Sequence, residues 1–154
     1  MALPRFVSTI LAALLVVALV GCGRSTAVPV PSPADFTEMT NQMTRLGVSV
    51  RDVVSGDAGC TDRTLGPTAI AFTASGLDQT QPVRIRVYVF ANRDTWQRLA
   101  GSVASCARSY VTDPATYESL APSPFVVSGQ GPWAPGFAAA LRAAAFSAAA
   151  GNGG

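Results

Sequence analysis

Val83-Arg84-Ile85-Arg86-Val87-Tyr88-Val89 alternates apolar and polar side chains over seven positions. Period two is the pattern of a strand with one buried face. Val83, Ile85, Val87 and Val89 therefore point one way and Arg84, Arg86 and Tyr88 the other. Upstream, Thr68 to Ala74 alternates too, with Ile70 and Phe72 on one side, and Ser75 to Pro82 forms the connecting loop. The two runs are expected to pair as an antiparallel hairpin.

Helical periods lie on either side of this hairpin. Ser32 is placed as an N-cap, with Pro33 at the first helical position and Asp35 three residues after the cap. Phe36, Met39, Met43 and Leu46 then recur as one apolar stripe, and Gly47 is a natural stop. Val48 to Val54 reads as a strand, and Ser55 to Gly59 as a turn that delivers Cys60. After the hairpin, Asn92 or Asp94 caps a helix whose core side carries Trp96, Leu99, Ala100, Val103, Cys106 and Tyr110. Asp113-Pro114 starts a short turn or helical piece, and Phe125 to Ser128 is a last strand. A final helix runs over about 136–150, burying Phe137, Leu141 and Ala144, with Gly151 ending it before a flexible tail at 151–154. The order is α-β-β-β-α-β-α. It predicts an α+β domain over 34–150, with a small mixed or antiparallel sheet of about four strands and helices packed on one face.

The N-terminal segment has a different character. An apolar run from Phe6 to Val20 follows a start carrying Arg5, and it closes on Leu19-Val20-Gly21-Cys22 before the composition turns polar. Fifteen residues fall short of the roughly 20 needed to span a bilayer, and match the apolar region of an export signal. Pattern and spacing resemble the lipobox of bacterial lipoproteins. The resemblance implies that residues 1–21 are a signal peptide and that the Cys22 sulfur carries a diacylglyceryl group. It further implies a membrane-held, extracytoplasmic envelope protein. An uncleaved anchor and an ordinary secretory signal are the other two readings. Residues 22–33 then form the lipidated cysteine and a Pro-rich tether reaching about 30 Å.

Removing 21 of the 154 residues leaves 133, enough for one domain with a real core. Ten basic and nine acidic side chains remain, so no basic stripe is present for a nucleic-acid partner. Every basic residue is arginine. Without histidine, Ser-His-Asp and Cys-His catalysis and imidazole zinc sites are excluded, and without lysine so is Schiff-base chemistry. With Cys22 assigned to lipid, Cys60 and Cys106 are an even pair. In an oxidising compartment such a pair is expected to form a disulfide, the alternative being two separate buried thiols.

Candidate binding residues are few. Arg84, Arg86 and Tyr88 share one sheet face and could grip a carboxylate or phosphate, or simply keep that face soluble. In the loop Gly129 to Pro135, Gln130 and Trp133 offer a stiffened aromatic contact surface, or Trp133 is a plug buried against the last helix. Asp52, Asp57 and Asp62 match no calcium loop and read as solvated turn residues. No catalytic residue, metal site or cofactor is assigned. The expectation is a non-enzymatic lipoprotein module that binds a ligand or an envelope protein. A lipid-anchored hydrolase using Asp and Glu, or a structural subunit of an envelope complex, is the alternative.

Overall fold

A computed structural model describes residues 33–151. The expected signal peptide over 1–21, Cys22 and the expected tether as far as residue 32, the expected cap Ser32 included, and residues 152–154 of the expected tail lie outside the described residues. The elements in chain order are α1 (Pro33–Arg45), β1 (Ser49–Ser55), β2 (Ala69–Gly76), β3 (Gln79–Val89), α2 (Arg93–Ala107), β4 (Tyr117–Leu120), β5 (Phe125–Gln130) and α3 (Pro135–Gly151). Short 3₁₀ turns at Gly66–Thr68 and Pro114–Thr116 precede β2 and β4.

The strands form one antiparallel sheet in the order β1-β2-β3-β5-β4. The expected hairpin is β2–β3, with Phe72 opposite Ile85 and Ala71 opposite Arg86. The strand that opened the sequence reading is the central one. Among the described residues five strands are present rather than about four. The extra strand, β4, has only four residues and no apolar alternation, so its extended state follows from pairing with β5.

Helices cover both faces of the sheet, which corrects the expectation of one face. On the first face, α1 and α3 bury Met39, Met43, Phe137, Leu141 and Ala144 against Phe72, Ile85, Val87, Phe125 and Val127. On the second, α2 and the segment after β1 bury Val103, Cys106, Ala58 and Leu65 against Ala69, Tyr88, Phe90 and Val126. The reason lies in β3. Its "polar" face carries Tyr88 and continues to Phe90, both fully buried, so that face also needs a cover.

Local signals set most boundaries. Asn92 caps α2 by accepting the Thr95 N–H at 2.8 Å. α1 ends in paired C-terminal bonds, Gly47 N–H to Thr44 O and Val48 N–H to Met43 O, with Gly47 at φ +88°. Leu46 therefore falls on the turn and is exposed, outside the stripe to which the helical period assigned it. The cap of α3 is distant in sequence: Asp78, in the β2–β3 turn, accepts the N–H groups of Gly136 and Phe137 at 2.8 Å each. α3 includes Gly151, one residue beyond the expected stop. Among the described residues, no helix is long and apolar enough to cross a membrane.

Candidate functional site

Arg84, Arg86 and Tyr88 do share one sheet face, and the segment after β1 folds over them. Asp57 lies between the two arginines, with its carboxylate 3.2 Å from Arg84 Nη2 and 3.2 Å from Arg86 Nη2. Gly56 (φ +86°) and Gly59 (φ +77°) let the chain turn tightly enough to place it there. The Gly59 N–H also donates to Asp57 at 2.9 Å. Partial burial acts to raise the Asp57 pKa, but the Arg86 charge and the bonds from Arg84, Arg86 and Gly59 outweigh it. The carboxyl is held below its usual range. The anion gripped by this arginine pair is thus internal.

Arg86 is buried, and its guanidinium carbon lies 4.1 Å from the centre of the Tyr110 ring. Tyr88 is fully buried and donates its hydroxyl to Ala58 O at 2.8 Å. The Cys60–Cys106 disulfide joins this segment to α2 across a Cα–Cα distance of 5.4 Å. Tyr110 and Ser128 share a hydroxyl–hydroxyl bond of 2.9 Å. Tyr117 faces the hydroxyls of Ser119 and Ser128. All three tyrosines of the chain therefore gather on this face. Burial raises the Tyr117 pKa, and burial with the Tyr110 hydroxyl raises that of Tyr88 well beyond the usual range. These two phenols stay neutral and act as hydrogen-bonding groups, not as bases.

Beside the tyrosines, a cleft of about 330 Å³ opens between the end of α2 and β4. Ala104, Ala107 and Arg108 line it from α2, and Val111, Pro114 and Tyr117 from the segment that follows the helix and from β4. A volume of this order, mostly apolar with few polar groups, is the usual form of a small-molecule site. Among the described residues Arg108 is its only charged lining residue. It sits where α2 ends, where the helix dipole favours a cation, and its Nη2 donates to Ser105 Oγ at 3.0 Å.

Both walls are pinned. Cys106 ties the α2 wall to the segment after β1. Gln130 ties the other: its Oε1 accepts the Thr112 N–H at 2.8 Å and the Asp113 N–H at 3.4 Å. Its Nε2 donates to Asp113 O at 3.3 Å, to Gly131 O at 3.2 Å and to the Thr116 hydroxyl. With its polar atoms committed to this turn, Gln130 shapes the cleft without lining it.

Trp133 is buried in the first core, edge-on to Phe137 at 6.4 Å, with its indole N–H donating to Gln130 O at 3.1 Å. It occupies the plug position. Its backbone N–H is received by Glu118 at 2.5 Å. The three aspartates separate in role. Asp57 takes the arginines, and Asp62 accepts from the Thr64 hydroxyl and N–H, which lower its pKa. Asp52 sits at φ +52°, where the β1–β2 register shifts. Among the described residues no group of three metal-ligating side chains gathers.

Sequence reasoning missed Arg108 and Tyr117. Arg108 carried one usable signal, a cation just past the last turn of a helix. Tyr117 carried none, because its strand exists only through pairing. No family model matches the chain, and neither a curated protein nor a solved structure is significantly similar to it.

Proposed function

We propose that this chain is an extracytoplasmic lipoprotein module, anchored through a diacylglyceryl thioether on Cys22. In this reading it acts by binding rather than by catalysis, with the cleft between α2 and β4 as its binding site. The observation that carries the binding reading is the double pinning of that cleft. One wall is fixed by the Cys60–Cys106 bridge and the other by Gln130. A cleft held open in this way loses little freedom when a ligand enters.

The anchor reading rests on the Leu19-Val20-Gly21-Cys22 pattern and on the Cys60–Cys106 pairing, which accounts for the other two cysteines of the chain. Two or more acyl chains give stable attachment, since one alone binds only reversibly. Catalysis by carboxylates is the weaker reading, because Asp57, Asp62, Asp78, Asp113 and Glu118 each already accept hydrogen bonds within the fold. The test of the anchor is growth with radiolabelled palmitate and an intact mass of the membrane-extracted protein. The expected result is a chain starting at Cys22 and carrying lipid, with label lost in Cys22→Ala. An unmodified full-length chain, or label retained by the variant, overturns it.

A further inference from the structure

We infer that the cleft between α2 and β4 takes a small ligand with a flat apolar body and a single carboxylate, that is, an aromatic carboxylate. The inference deepens the binding role proposed above and does not depend on the anchor.

The lining sets the chemistry. Ala104 and Ala107 present only methyl groups from α2, while Pro114 and the Tyr117 ring line the cleft from the segment after it. We take this lining of two methyl groups, a proline and one ring as a slot: a flat body can lie over the alanines and stack on Tyr117. Tyr117 is positioned by the pairing of β4 with β5, opposite Gln130, and the α2 side by the Cys60–Cys106 bridge. The cleft is therefore held by the fold before a ligand arrives.

Charge sets the second half of the argument. Among the described residues Arg108 is the one charged side chain in the lining, and no carboxylate lines the cleft. It is solvent-exposed at the rim, with Nη2 held by Ser105. Its planar fork can present two donors to one carboxylate, which a ring lying along Tyr117 would carry outward. This distinguishes it from Arg84 and Arg86, whose acceptor is Asp57. The cleft volume of about 330 Å³ accommodates two fused rings but not a bulky polycyclic ligand.

The test uses the full chain, isotopically labelled, in lipid nanodiscs, with empty nanodiscs as the blank for ligand partitioning. The probe is 2-naphthoate, followed by amide chemical-shift changes. Expected are saturable shifts centred on Ala104, Ala107, Val111 and Tyr117, and at least tenfold weaker binding of the neutral 2-acetonaphthone. Arg108→Gln should weaken 2-naphthoate about tenfold or more, the usual loss for a charge-assisted hydrogen bond, and the neutral ketone, whose oxygen accepts only an ordinary hydrogen bond, by much less. Ala104→Phe, at an exposed helix position, should fill the slot and abolish binding of both probes.

Three results overturn the inference: no saturable shift at millimolar probe, shifts centred elsewhere, or equal affinity for acid and ketone. Octanoate binding as tightly as 2-naphthoate would overturn the flat-body part, and an unaffected Arg108→Gln the anionic part. Amide spectra report whether each variant is folded. The state of Cys22 is read separately from the intact mass, so failure of the anchor cannot be mistaken for failure of this site.

Discussion

Asp57 and Arg86, 29 residues apart in sequence, meet at 3.2 Å under a turn bounded by two glycines at positive φ. The pair links the segment after β1 to the central strand. Arg86 is buried and its Nε finds no acceptor, so Asp57 provides the counter-charge that makes its burial tolerable.

Replacing Asp57 by Asn should therefore destabilise the fold at pH 7, by about 2 kcal/mol once the partial exposure of Asp57 and Arg84 is discounted. The pH dependence has a definite sign. The folded-state pKa of Asp57 is below its unfolded value, so the stabilisation is fully present above the unfolded pKa. It is lost as pH falls through the folded one. Urea melts between pH 7 and pH 2.5 should show a smaller acid loss in Asp57→Asn than in wild type. Parallel curves would count against the ion pair.

Gly59→Ala should be much more damaging than Gly56→Ala. Both positions have positive φ, which alone costs an L-residue roughly 1 kcal/mol. At Gly56 an added Cβ meets nothing within 4 Å, whereas at Gly59 it would lie 2.5 Å from Arg86 Nε and also press on Tyr110. Paired thermal melts check the difference. Equal effects would show that the Arg86–Tyr110 stack yields easily.

Cys60→Ala/Cys106→Ala removes a cross-link spanning 46 residues of sequence separation. The chain-entropy model assigns such a loop about 4 kcal/mol. The double variant should unfold at markedly lower denaturant, and it should also broaden the amide signals of Ala104, Ala107 and Arg108, since one wall of the cleft loses its tie. Sharp, unshifted signals there would show that α2 packing alone holds the wall.

Asp78→Ala should lower the melting temperature by uncapping α3, although the side chain is solvent-exposed. The Gly136 N–H, with that of Phe137, keeps the Asp78 carboxyl below its usual pKa, so this contribution too fades on acidification. Asp78→Asn should retain part of the cap. Hydrogen exchange of the first turn of α3 reports it directly, and unchanged protection in Asp78→Ala would refute the role.

The hairpin was legible because Ile85 and Val87 obey a purely local rule, and the Asn92 cap because its acceptor and donor are three residues apart. β4 was not legible. Tyr117 to Leu120 is too short to carry a period, and its extended state comes from hydrogen bonds to β5. The cleft was equally hidden, since Tyr117 is brought to the end of α2 by the β4–β5 pairing, which no local pattern announces. Gln130 and Trp133 were noticed for their chemistry. That chemistry is turned inward, one residue stapling a turn and the other filling a core.

By itself, the chain of residues determined a central alternating strand, a cysteine pair, and the exclusion of histidine and lysine chemistry, all of which are properties of composition and short-range spacing. Only the tertiary structure decided that both sheet faces are covered, that Asp57 satisfies Arg84 and Arg86, and that an arginine and a tyrosine share a cleft. The physical reason is range. An alternating pattern says which side chains share a face. Which partner covers that face is set by contacts some 27 to 59 residues apart, which no local period encodes.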